Sequence, residues 1–228
     1  QPTALETRME ALVHDDADVA YSDWQKLCEV KGKGFINAGI IHRRIEDVHL
    51  DPEIAILTDF WAPPAALLYA RRIVKKIGGW KAHLEPIEDA RFLLDAALFH
   101  AKFVYASDLG CLYRIPLGSS HSRIDRRRFL KHILQNTEEV EAWWKREGGV
   151  NAQRHRALVK VYENLARAAF REDPHLFEKV YDKILQISPN YRPAKPLHLA
   201  LLSRLFGYRS AESLIANYQS FKKRFHDG

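Results

Sequence analysis

Only two cysteines, Cys28 and Cys111, occur in the 228 residues, and they lie far apart with no metal-ligand spacing. Both read as reduced, small hydrophobic side chains, which suits a reducing, cytoplasmic setting. No run approaches the roughly 18–20 consecutive apolar residues that cross a membrane. The mostly apolar stretches 65–70 and 197–202 are core-sized. The first residues lack the charged, apolar, small-residue order of a secretion signal. The eleven histidines are dispersed, with no His-X-X-X-His pair and no Cys/His cluster, which argues against zinc. Also missing are a Gly-X-Gly-X-X-Gly or Walker-type phosphate loop and a Gly-X-Ser-X-Gly nucleophile elbow. No internal repeat of fixed period is present, which argues against a helical solenoid.

What is present is an ordinary globular composition: 46% hydrophobic residues are ample for a core. A formal charge of +6 and a pI near 9.3 suit an anionic partner such as a nucleotide diphosphate, an anionic lipid or a nucleic acid. The charge is read as spread over many helices. A nucleic-acid binder would need one basic stripe with interleaved aromatics, so no nucleic-acid partner is expected. Arg126, Arg127, Arg128 and Lys131 read as the solvated face of a helix. Lys222, Lys223 and Arg224 read the same way, with peripheral contact to an anionic membrane as the sharper option.

The spacing of Leu5, Met9, Leu12 and Val13 predicts a first helix, and Val19, Ala20, Tyr21 and Ser22 read as a short buried strand. A Gly/Lys-rich turn follows at 31–34. From 51 to 77 the pattern is helical, interrupted by Pro63-Pro64, with Leu67, Leu68, Ile73, Val74 and Ile77 on one face of the second piece. Gly78-Gly79 is a natural helix C-cap, and Pro86 suits the first turn of a helix reaching about His100. Residues 103–105 and 111–113 are strand candidates around a turn at 108–110. Beyond 125 strand signals vanish, and 126–147, 151–171, 174–187 and 196–226 read as amphipathic helices. The expected organisation is α/β over 1–122 and helical over 123–228.

Glu88 and Asp89 are the first candidates for chemistry, because a carboxylate beside a pocket can act as a general base. On spacing alone, acids in the first turn of a helix also serve simply to complement its dipole, worth about 0.3–1 kcal/mol. A helix N-terminus is expected to lower the pKa of Asp89 and weaken it as a base. Trp61 and Trp80 could stack on a sugar ring or fill a core. Tyr113-Arg114 and the loop with Ser119, Ser120, His121 and Arg123 offer hydroxyls, guanidinium and backbone N–H groups to an anionic leaving group, or close a strand as a polar loop.

The order of these motifs carries a resemblance. Gly78-Gly79-Trp80, then Glu88-Asp89-Ala90-Arg91-Phe92-Leu93-Leu94-Asp95, then a strand and Tyr113-Arg114, resembles the acceptor-side half of a family 2 glycosyltransferase. The similarity runs from about Ala4 to Trp144, and Trp61-Ala62-Pro63-Pro64 is similar to the family's aromatic-proline segment below the acceptor site. Asp23, after the first strand, has a family counterpart without an assigned role.

The resemblance implies an incomplete GT-A-type, Rossmann-like sheet followed by helices. It also implies inverting transfer of a sugar from a nucleotide-diphosphate donor to a glycan or lipid-linked acceptor hydroxyl. By it, Asp89 is the base and Glu88 tunes it or touches the acceptor. Trp61, Trp80, Arg114, Ser119, Ser120, His121 and Arg123 would bind substrate. Where many relatives have Tyr-Arg-X-His, this chain has Pro116, so no metal-binding histidine carries over. Relatives place a donor-binding half and an Asp-X-Asp motif for Mg²⁺ or Mn²⁺ ahead of a segment like 2–14. That half is expected to be missing here, and the chain by itself is expected not to turn over donor. The rival reading is a non-catalytic helical interaction module with a basic surface.

Overall fold

The computed structural model describes residues 3–118, 125–193 and 196–226, with side chains up to 218. The chain divides into two compact units, 1–139 and 140–228.

The first unit is mixed α/β. Helix α1 (Ala4–His14) leads into the long strand β1 (Val19–Val30), which pairs antiparallel with β2 (Gly34–Ile41). Short helices α2 (Ile45–Val48) and α3 (Pro52–Thr58) follow, the latter capped by Asp51, which accepts the Glu53 N–H. Strand β3 (Leu67–Tyr69) pairs antiparallel with the start of β1, ahead of α4 (Arg71–Ile77). Helix α5 (Glu88–Leu98) then crosses to β4 (Phe103–Ile115), which runs parallel to β1 along its other edge. The result is an open, mixed, four-stranded sheet.

Strand alternation sorts the core. Val19 and Tyr21 face one way, into a cluster with Phe60, Leu67, Ile73, Leu93 and Ala96, where α3, α4 and α5 pack. Ala20 faces the other way, onto Leu12 of α1 with Leu68 and Val104. Asp18 fixes the corner between α1 and β1. Burial alone would raise its pKa, but the Lys102 N–H (2.9 Å) and the Arg72 guanidinium (2.5 Å) outweigh that and hold it below the usual range.

Three expectations for the first unit change. Leu67 and Leu68 lie on a strand, not on a helix face: Leu67 pairs with Tyr21 and Leu68 with Ala20, and α4 starts only at Arg71. The first strand does not stop at Ser22 but continues to Val30 as one arm of a hairpin whose turn is the expected 31–34 segment. No turn occurs at 108–110. The register passes from Ser22↔Ala106 to Asp23↔Leu109 to Trp24↔Cys111, so β4 absorbs extra residues as bulges and runs on. Gly110 permits this, since a Cβ there would sit 1.9 Å from Ser22 Oγ. Gly78 ends α4 in the left-handed region, φ 85°, as a C-cap.

Helix α6 (Arg126–Arg146) begins beside Asp125, which accepts the Arg128 N–H, and runs past the boundary between the units. The second unit continues with α7 (Ala152–Glu172), capped by Asn151, and α8 (Pro174–Ile187), capped by Asp173. Trp144, Leu158, Tyr162, Val180 and Ile184 are fully buried among them. The expected single helix over 196–226 is two, α9 (Leu197–Phe206) and α10 (Tyr208–His226), separated at Gly207 with φ 79°. Cys28 and Cys111 are free thiols.

Candidate functional site

Glu88 and Asp89 open α5, as their position before the Leu/Ala-rich run predicts. Asp89 Oδ1 accepts the Ala90 N–H at 2.6 Å. The pKa of Asp89 nevertheless moves up, not down: burial dominates, the neighbouring Glu88 charge adds to it, and the helix N–H groups only partly oppose it. The dipole argument fails here because a half-buried carboxyl loses more hydration than the first-turn donors return. Tyr69, on β3, is driven upward by burial and by the Asp89 charge. Glu88 Oε2 is buried with no hydrogen-bond partner.

Both acids line a cavity of about 920 Å³ whose wall also holds Trp61, Trp80 and Tyr113. Trp61 is held edge-on by two rings, Trp24 at 5.6 Å and Tyr113 at 5.4 Å, and those two meet at 5.5 Å. Trp80 stacks on Phe92 at 4.9 Å and 14° yet stays 55% exposed, so one indole face is anchored and much of the ring is open. Carboxylates beside two anchored indoles can polarise a hydroxyl while apolar sugar faces rest on the rings.

Arg91, one turn into α5 and 3% exposed, holds the wall behind the acids. It donates to Asp95 (2.8 Å), Asn136 (3.0 Å) and Glu139 (2.8 Å), joining α5 to the middle of α6. Lys81 reaches the same Asp95 oxygen at 3.1 Å, and His83 bonds Glu139 at 2.9 Å. The loop carrying Trp80 is thereby tied to the helix carrying Asp89.

The structure therefore gathers Glu88, Asp89, Trp61 and Trp80 around one cavity, and leaves Arg114 outside it. Arg114 is exposed on β4 and does not line the cavity. Adjacent strand residues face opposite ways, so Tyr113 takes the inward place. Trp24 is the aromatic that sequence reasoning passed over; Tyr113, read there together with Arg114, reaches the cavity wall through strand parity. Ser119, Ser120, His121 and Arg123 lie outside the described residues. Arg128 pairs with Glu85 at 3.0 Å and Arg126 lies over the Phe129 ring, in keeping with a helix face. Asp16 and Asp18 are both engaged by Arg72, and Asp23 binds His42 at 2.6 Å. Among the described residues no three His, Cys, Asp or Glu converge to hold a metal. No helix among them is long and apolar enough to cross a membrane. No family model matches the chain, and no curated protein is significantly similar to it.

Proposed function

We propose that this chain carries the acceptor-side half of an inverting, GT-A-type glycosyltransferase, resembling family 2, that moves a sugar from a nucleotide-diphosphate donor to a glycan or lipid-linked hydroxyl. The observation that carries this reading is a partly buried carboxylate, Asp89, lining a cavity that also presents Trp61 and Trp80. As the acceptor oxygen bonds to the anomeric carbon, Asp89 takes its proton. The anomeric carbon–oxygen bond breaks, and the leaving diphosphate keeps the electron pair. Burial suits Asp89 to this role, since a carboxyl whose pKa rises toward the working pH is a stronger base than an exposed aspartate. Trp80 offers its open face to the acceptor ring, and Arg91 keeps the wall in register.

Any Mg²⁺ or Mn²⁺ would be held by the donor-binding half, and no step on this chain passes through it. The test is nucleoside-diphosphate release from a panel of nucleotide sugars by this chain joined to such a half. The expected result is release stimulated by a glycan acceptor and no release by residues 1–228 alone. Equal release with and without acceptor across the panel, or Mn²⁺-dependent hydrolysis by 1–228 alone, would contradict the reading.

A further inference from the structure

Helix α9 turns much of its apolar surface outward. Leu197, Leu201 and Leu205 recur every four residues and are 72%, 52% and 75% exposed, while Leu199 and Ser203 face inward. Leu214 and Tyr218, one turn apart on α10, are exposed as well. At the start of α9 the stripe borders a groove of about 500 Å³ lined by Arg192, Pro193, Leu197, Ala200, Leu201 and Arg204. None of these lining residues is acidic.

Arg192 and Arg204 stand on that groove, and the chain's formal charge is weighted, in sequence, toward the segment that holds them. Residues 190–228 contain seven Lys or Arg and two Asp or Glu, a net +5 against +6 for all 228 residues. Of the two acids, Glu212 is buried and faces Arg167 at 3.7 Å, so it does not neutralise the surface.

We propose that the outward face of α9 and α10 is a docking surface for an anionic lipid bilayer. The leucine stripe enters the interface between headgroups and acyl chains, and Arg192 and Arg204 meet the lipid phosphates at its rim. An apolar stripe flanked by cations is the pattern of an interfacial helix, whose binding combines buried apolar area with attraction to anionic lipid. A second copy is disfavoured as occupant, because pairing this face with itself sets one basic surface against another. Nucleic acid is disfavoured because leucines, unlike aromatic side chains, give bases nothing to stack on. The inference does not rest on the transferase reading.

The test is cosedimentation of the full chain with vesicles of phosphatidylcholine alone and with about 30% phosphatidylglycerol added, at low and high salt. The expected result is binding at least roughly tenfold tighter to the phosphatidylglycerol vesicles, weakening as salt rises. Leu197→Gln with Leu201→Gln, and separately Arg192→Gln with Arg204→Gln, should each reduce partitioning by roughly tenfold. All are surface positions, so circular dichroism and melting temperature should match the parent chain. If the leucine variant does not fold, the arginine variant decides. Equal binding to both vesicle types, or variants that bind like the parent, would overturn the proposal. So would a light-scattering dimer lost in the leucine variant, or binding to duplex DNA, with no vesicle binding.

Discussion

Asp89 is held between opposing influences, burial and the Glu88 charge pushing its pKa up and the first-turn N–H groups pulling it down, with burial prevailing. For a carboxyl raised on folding, the native state holds a proton more tightly than the unfolded chain. Its contribution to stability is therefore complete below the ordinary aspartate pKa and is lost as pH rises through the raised value. Asp89→Asn should accordingly raise the melting temperature at neutral pH, with the gain disappearing in acid; an equal shift at both pH values would refute this balance. Such a trade of stability for a charged group is common where a site needs the charge. At Gly110 the constraint is steric. Gly110→Ala should destabilise the first unit by about 1–3 kcal/mol in urea unfolding, since the new methyl displaces Ser22 Oγ from the Ala66 carbonyl. The double variant with Ser22→Ala should recover part of that loss, and strict additivity would contradict the packing account.

At the scale of elements, the Arg91 network decides whether the cavity keeps its shape. Arg91→Met removes the one guanidinium shared by Asp95, Asn136 and Glu139 and should cost about 3 kcal/mol in equilibrium unfolding. Burial pushes Glu139 upward, but His83 and Arg91 reverse this and hold it below the usual carboxylate range. Its stabilising contribution is thus present above the ordinary glutamate pKa and fades as pH falls through the depressed value. The penalty of Arg91→Met should shrink in acid, and a pH-independent penalty would contradict the ion-pair account. Helices α5, α7 and α8 were legible in sequence because their punctuation is local: acids ahead of a Leu/Ala run, Asn151, and Asp173-Pro174. Strand β2 was not, because every one of its residues from Gly34 to Ile40 is exposed and no buried face imposes alternation. Nor was β3, since Leu67 and Leu68 fit a helix face as readily as a strand until Tyr21 and Ala20 arrive beside them. The inward aim of Tyr113 was likewise not readable, because it depends on strand parity, which bulges in β4 shift.

For the molecule as a whole, the two units carry different physics. Residues 1–139 build an open sheet with an aromatic-walled cavity lined by two carboxylates; residues 140–228 end in a leucine-faced pair of helices whose sequence is basic. The acids were legible from their order relative to Gly78-Gly79-Trp80. The upward direction of the Asp89 pKa was not, because burial belongs to the folded chain and not to the segment. The central claim is that this carboxylate removes the acceptor's proton. Its most direct test is kcat for sugar transfer by Asp89→Asn in the chain joined to a nucleotide-sugar-binding half. The account predicts a fall of about 10²–10⁴-fold with KM for donor little changed; a kcat within about threefold of the parent would contradict it.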